Sequence, residues 1–577
     1  LSKSMYLNIL EMTWEAYGPE RIRQRRSVDG NGRMDLHAYS RVLTVLSCLI
    51  HGGRMGELTD LWKRMMTECC REIAAMRGKN EADYAIREIM FSLKLMKETL
   101  PDWEEAKPEW LDELRKIDPC VQYNYWLREG GDPALLHNVN IYNMTGEYLR
   151  ETEGLTDTTS YFAKHWPIQM TRFDENGMYR DPGCPILYDL TTRCQIQLML
   201  GFGYDGPFAA GIDQCLRRAG LATLRMQSSA GELGYGGRSS QFLFNEALVA
   251  ANAEYEARRY YREGNLALAG AFRQSARLAV EAILPWLRMQ PPHHIKNRYP
   301  VAMKYGEEKY GYYDKYMATL GAFLAIGYWF ADDCIPEAAC PAEAGGYVWQ
   351  TSASFHKIFA NAGGYSLEMD TAADPNYDAT GLGRIHRKGA PTELALSAPL
   401  SPGTKYGLHE GVGRIPAAIG AGWKERTSGT IRYLADCSSL ASRLVVLEES
   451  PDQVRFAVIY EGEELPGGFV EERYELTGSG VMMDIVLGQT KDEPLYIRIP
   501  LLATNGRDEA LTELTTGRIT VQLHEYLYSV ALPSAAQVRI GQFRYGNRNG
   551  EYVLAEAQAT GNHVRLAFAI TNLKEDE

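Results

Sequence analysis

The hydrophobic period of this chain changes once, and that change limits what it can fold into. Through residue 334, apolar residues return at steps of three and four, as in 34–52, 83–99, 239–262 and 264–289. Such spacing lines one face of a helix. Around 333–346 (DCIPEAACPAEAGG) prolines and a glycine pair interrupt it. Beyond, β-branched and aromatic residues alternate with polar ones in 429–434, 443–447, 454–461 and 481–487, with turn residues at short spacing. That is the pattern of stacked antiparallel sheets. The expected architecture is α then β, multidomain, with 1–334 and 335–577 as its two domains.

Breaks at Pro, Gly or Asp divide the first part into about ten to twelve helices. Paired helices joined by functional loops curl into a toroid, an incomplete barrel of helical hairpins, or a solenoid. No residue pattern repeats at fixed spacing, which disfavours TPR- and HEAT-type arrays. The net charge of −13, with no Lys/Arg-rich block, argues against a nucleic-acid surface. No apolar run reaches the roughly 18 residues of a membrane span. The ten cysteines form no CxxC pair and fit reduced, mostly buried thiols. A cytoplasmic setting is expected, with a periplasmic or secreted one as the alternative if a leader precedes Leu1.

Residues 176–193 concentrate chemistry. They gather Asp181 and Asp189, Tyr179 and Tyr188, and Arg180 and Arg193 around a Pro/Gly turn that opens onto the apolar run 194–200. Loops at helix ends are where a rigid scaffold presents reactive groups. Acid, phenol and cation together suit an anionic, hydroxyl-rich ligand such as a uronic-acid sugar. The plainer reading has Asp181 starting a turn and Asp189 capping the next helix.

A helical first part followed by an antiparallel second part resembles the heparinase II/III-type carbohydrate enzymes, which join an (α/α) toroid to a β-sandwich. The resemblance is carried by 179–193, 237–247, 310–317 and 361–394, and extends to glycoside hydrolase family 154, whose activity is a β-glucuronidase. It implies a carbohydrate-active enzyme. One departure stands out. Many toroid lyases carry an Asn-His pair followed by a catalytic Tyr, whereas 137–143 reads His-Asn-Val-Asn-Ile-Tyr-Asn. His137 and Asn140 are nevertheless expected to meet substrate.

Other clusters join the candidate site. Arg238 precedes a helix carrying Asn245 and Glu246, where a positive helix end favours anions. Gln241 and Asn245, four apart, are expected on one helix face, gripping hydroxyls together. Glu246 would serve as an acid if buried. His293 and Arg298 lie on a loop of imidazoles and cations, plainly read as solvated. Tyr312 and Tyr313 offer faces for a sugar ring. In the β part, His386 and Arg387 sit in a basic cluster (Arg384 to Lys388); in the architecture resembled, such residues close the cleft.

Three functions are weighed. The leading expectation is hydrolysis of a uronic-acid linkage by a glycoside hydrolase. Asp181, Asp189 or Glu246 would be its acid and base, and Arg193, Arg238 and Arg387 would hold the carboxylate. The alternative is β-elimination by a lyase, with Tyr188 or a histidine abstracting the C5 proton. The third is a non-catalytic carbohydrate-binding protein. No cofactor is called for and no metal ligands are assigned, although ligands converging from distant loops stay open. The partner is an acidic oligosaccharide or glycoside. Homo-oligomerisation is left open.

Overall fold

A computed structural model describes residues 1–29, 32–533 and 535–574, apart from the Ala536 side chain. They form two compact units. The first holds 1–221, 242–294 and 310–338; the second holds 222–241, 295–309 and 339–577.

In the first unit six inner helices close a ring: α1 (Leu36–His51), α2 (Asn80–Lys97), α3 (Asn138–Glu151), α4 (Ile186–Gly201), α5 (Phe244–Arg262) and α6 (Tyr313–Phe330). Each packs on the next, and α6 packs back on α1. The inner helices are buried on almost every face; α1, for instance, is buried from Leu36 through Ile50. A helix surrounded by others is expected to be apolar all round, and α6 (YDKYMATLGAFLAIGYWF) is close to that limit. Outer helices, among them Thr59–Ala75, Thr159–Met170 and Leu266–Leu287, alternate with the inner ones along the chain. This is an (α/α) toroid.

The alternation fixes direction. Because one outer helix returns the chain between successive inner helices, the inner six run parallel. Pairings across the ring agree: His37 of α1 stacks on Tyr84 of α2, and Tyr84 meets Tyr142 of α3, all within two turns of their helix starts. All six inner N-termini therefore face one mouth. Deeper in the ring, Arg41 reaches Glu88 at 3.4 Å and Thr44 Oγ1 donates to Glu88 at 2.7 Å.

The second unit is antiparallel throughout its named strands. It contains a four-stranded sheet of β1 (Tyr347–Gln350), β2 (Lys357–Ala362), β3 (Tyr365–Asp370) and β4 (Gly381–Arg387) in that order, together with an eight-stranded sheet and a six-stranded sheet. One apolar core draws on all three, including Leu367, Met483 and Ile499. Alternation in sequence becomes alternation in burial: in Gly480–Leu487 the inward residues are Val481, Met483, Ile485 and Leu487. The helix-then-sandwich architecture expected from the change of period is present. Among the described residues no helix is long and apolar enough to cross a membrane.

Candidate functional site

The ring mouth is where the helical unit gathers chemistry. Each helix N-terminus leaves main-chain N–H groups unpaired within the helix and carries a partial positive charge. Six of them surround this mouth.

The 174–189 segment is held rigidly there. Gly177 turns the chain at φ +73°, where a Cβ would lie 2.1 Å from the Cys215 carbonyl oxygen, so only glycine fits. Asp189 is fully buried in α4. Its Oδ1 accepts from Tyr179 N at 2.7 Å and Arg193 Nε at 2.9 Å, and its Oδ2 from Arg193 at 2.7 Å. Tyr179 is also buried and donates its hydroxyl to Gln169 Oε1 at 2.5 Å. Asp181 accepts from Asn138 N at 3.0 Å and from Asn138 Nδ2 at 2.7 Å, binding the loop to the first turn of α3.

Asp181 Oδ1 also stands 3.6 Å from His137 Nδ1, and the His137 side chain keeps 20% of its surface exposed. Tyr125 also packs on this imidazole, its ring T-shaped to His137 at 4.7 Å. Asn140 is interior. Its Nδ2 donates to Tyr125 O at 3.0 Å and Tyr161 Oη at 2.9 Å, and its Oδ1 accepts from Gln169 at 2.9 Å.

Around the same mouth, His37 and Tyr84 are stacked face to face at 4.0 Å. Burial, then Arg41, Lys315 and Arg87, holds the His37 imidazole well below its usual range, so it is neutral. Burial, then Tyr188 and Tyr142 nearby, holds the Tyr84 phenol well above its usual range, so it keeps its proton. Tyr188 lies in the first turn of α4 and is half-buried. Tyr312 and Tyr313 begin α6; their hydroxyls donate to Asp35 Oδ2 at 2.6 Å and Pro292 O at 2.9 Å. Asn245 and Glu246 lie buried in the first turn of α5. His293 is 4% exposed, so its part of the loop is interior and not solvated.

The remaining expected residues belong to the second unit. There the loop 228–241 is tied down by main-chain donors. Ser229 N reaches Ser366 Oγ at 2.7 Å, Tyr235 N reaches Glu368 at 3.0 Å, Gly237 N reaches Asp378 at 2.8 Å and Ser239 N reaches Glu308 at 2.5 Å. Arg238 sits on this loop, half-buried. Gln241 accepts from Asn549 Nδ2 at 3.1 Å. The shared helix face expected for Gln241 and Asn245 does not form. Ser239 and Gln241 take φ of +59° and +69°, and the helix starts only at Phe244. Both His386 nitrogens pair with serine hydroxyls, Ser228 and Ser397, each at 3.0 Å. Burial and Arg384 hold this imidazole well below its usual range. Arg387 donates to the Ile570 carbonyl and lies over the Tyr365 ring. Arg298 bonds through its main chain to Asn505 O at 2.8 Å.

Sequence reasoning missed His37, Tyr84 and Tyr125. No local pattern marks them; ring closure brings the first two together from separate helices. Among the described residues no group of three or more His, Cys, Asp or Glu is placed to hold a metal ion.

No family model matches this chain, and no curated protein sequence matches it. Solved structures do. The chondroitin AC lyase of Streptomyces coelicolor A3, in complex with chondroitin sulphate, is 10% identical; the match covers 98% of this chain and 79% of that one, with a TM-score of 0.48. The heparan sulfate lyase HepC of Pedobacter heparinus is 10% identical over 86% of this chain and 77% of that one, with a TM-score of 0.36. Heparinase III is 9% identical over 85% and 77%, with a TM-score of 0.34. The likeness is one of fold.

The expectation of a glycoside hydrolase is corrected. Asp181 and Asp189, its expected acid and base, are engaged within the chain, Asp181 by Asn138 and Asp189 by Tyr179 and Arg193. A pair of carboxyls flanking a glycosidic bond needs oxygens free for the leaving group and for water.

Proposed function

We propose that the ring mouth binds a uronate-bearing saccharide and cleaves it by β-elimination, as a polysaccharide or oligosaccharide lyase. The observation that carries this reading is the Asp181 carboxylate 3.6 Å from His137 Nδ1, at a mouth where the Tyr84 phenol keeps its proton. His137 Nδ1 faces Asn138 Nδ2 at 3.4 Å as well as Asp181, and the nearby carboxylate stabilises the imidazolium that forms when the ring takes a proton.

In this reading His137 removes the C5 proton of the uronate. The C5–H electron pair becomes the C4=C5 bond as the C4–O4 bond breaks. The departing O4 takes a proton from the phenol pair Tyr84 and Tyr188. Helix N-termini, with Lys315, offset the negative charge that builds on the carboxylate in the transition state. No water enters the bond-breaking step, so the new non-reducing end is unsaturated and absorbs in the near ultraviolet.

Incubation with glucuronate- and iduronate-containing oligosaccharides tests this. A rise in near-ultraviolet absorbance that tracks chain cleavage supports the reading; cleavage to saturated uronate without that rise refutes it.

A further inference from the structure

The segment 123–127 attracted no functional expectation, yet its backbone is fixed from two sides. Asp83, in the first turn of α2 and fully buried, accepts from Asn124 N at 2.9 Å and Tyr125 N at 3.0 Å. It also accepts from Asn143 Nδ2 at 2.6 Å. The carbonyl of the same Tyr125 accepts from Asn140 Nδ2 and Asn143 Nδ2, each at 3.0 Å. Both main-chain polar groups of one residue are thus held by buried side chains of two different helices. Tyr125 then sets its ring at 70° to His137, with centroids 4.7 Å apart, and the same imidazole has Asp181 Oδ1 3.6 Å from Nδ1.

We propose that Asp83 and Tyr125 are positioning residues for His137: Asp83 fixes the loop backbone, and the Tyr125 ring keeps the imidazole beside Asp181. This rests on the reading of His137 as the base. The arrangement is costly to build, which argues that it does something. Burial pushes the Asp83 carboxyl up to about 7 even though three donors face it. A carboxylate buried for stability alone is a poor bargain against an apolar residue. A carboxylate that orients a loop has a reason to stay.

The test is the titration of His137, read by NMR on full-length protein with ring-labelled histidine and assigned by difference from His137→Gln. A neighbouring carboxylate raises a histidine midpoint, and losing that neighbour lowers it. Tyr125→Leu is expected to lower the His137 midpoint by about half a unit or more, and to cut kcat by about tenfold with KM little changed. Asp83→Ala is expected to shift it the same way, and Asp83→Asn, which keeps one acceptor oxygen, to shift it less. Folded variants whose His137 midpoint and kcat match the wild type overturn the proposal. Tyr125→Leu alone decides the matter if Asp83→Ala does not fold. Failure of the lyase reading looks different: the wild type does not turn over, while the midpoint still moves in the variants.

Discussion

The Asp181 carboxylate accepts hydrogen bonds from both the main-chain N–H and the side-chain amide of Asn138, at 3.0 and 2.7 Å. It works as a cap supplied from a distant loop, satisfying a donor that the first turn of α3 leaves unpaired. The same carboxylate neighbours His137. Asp181→Ala therefore removes a cap and a histidine partner together. It is expected to cost about 1–2 kcal/mol in urea unfolding and to lower kcat by about tenfold to a hundredfold. Asp181→Asn, which keeps one acceptor, recovers more of the stability than of the rate.

Arg193 and Asp189 form a buried ion pair one turn apart on α4, at 2.7 Å. Removing one member strands the other in a low-dielectric interior. Arg193→Met alone is expected to destabilise by about 3–5 kcal/mol. The double variant Asp189→Leu/Arg193→Met is expected to lose less than the sum of the two singles, and denaturant melts of the four proteins in the cycle measure the difference.

Stability should depend on pH through buried carboxyls. Burial pushes Glu472 up to about 7, with the Tyr474 hydroxyl donating to it. An unfolded glutamate titrates at about 4.3. Between those values the folded chain keeps a proton that the unfolded chain has lost. The contribution is therefore full below about pH 4.3 and is lost as pH rises through about 7. Glu256 and Glu368, each pushed up to about 7 by burial, act in the same sense. Glu232 acts oppositely. Lys296, His386 and Arg384 outweigh its burial and lower it to about 2, so its contribution is lost only in strong acid. Glu472→Gln is expected to gain on the order of 2–3 kcal/mol over wild type at pH 8 and little at pH 4. Thermal melts across that range check both points.

Attraction of a polyanionic substrate to the mouth of a chain of net charge −13 relies on local positive potential. Such attraction weakens as the screening length falls. KM for a uronate oligosaccharide is expected to rise several-fold between about 0.05 and 0.5 M salt, with kcat changing less. Initial rates at matched pH measure this.

The change of hydrophobic period made the two kinds of fold legible, because each period reports local burial. Tyr188 draws an expectation from the cluster of acids, phenols and cations at 176–193, and His137 from its place in a segment compared with the Asn-His pair of toroid lyases. The rest was hidden for identifiable reasons. Asp83 and Tyr84 open an ordinary amphipathic helix, and only closure of the ring sets Tyr84 against His37, 47 positions earlier in the chain. Gln241 and Asn245 have helical spacing, but left-handed backbone at Ser239 and Gln241 delays the helix to Phe244. The loop 228–241 is read through Arg238 and Gln241, yet its N–H groups are received by side chains of β3 and of the loop after it, more than a hundred residues later.

The central claim is that His137 takes a proton from carbon at the ring mouth. The most direct test compares wild type with His137→Gln on one uronate oligosaccharide, following near-ultraviolet absorbance at saturating substrate and binding by calorimetry. The account predicts a steady rise for wild type, and for the variant binding within a few-fold of wild type with a rate lower by about a hundredfold or more. Equal rates of unsaturated product from both proteins, or a wild-type product that is saturated and carries oxygen from water, would contradict it.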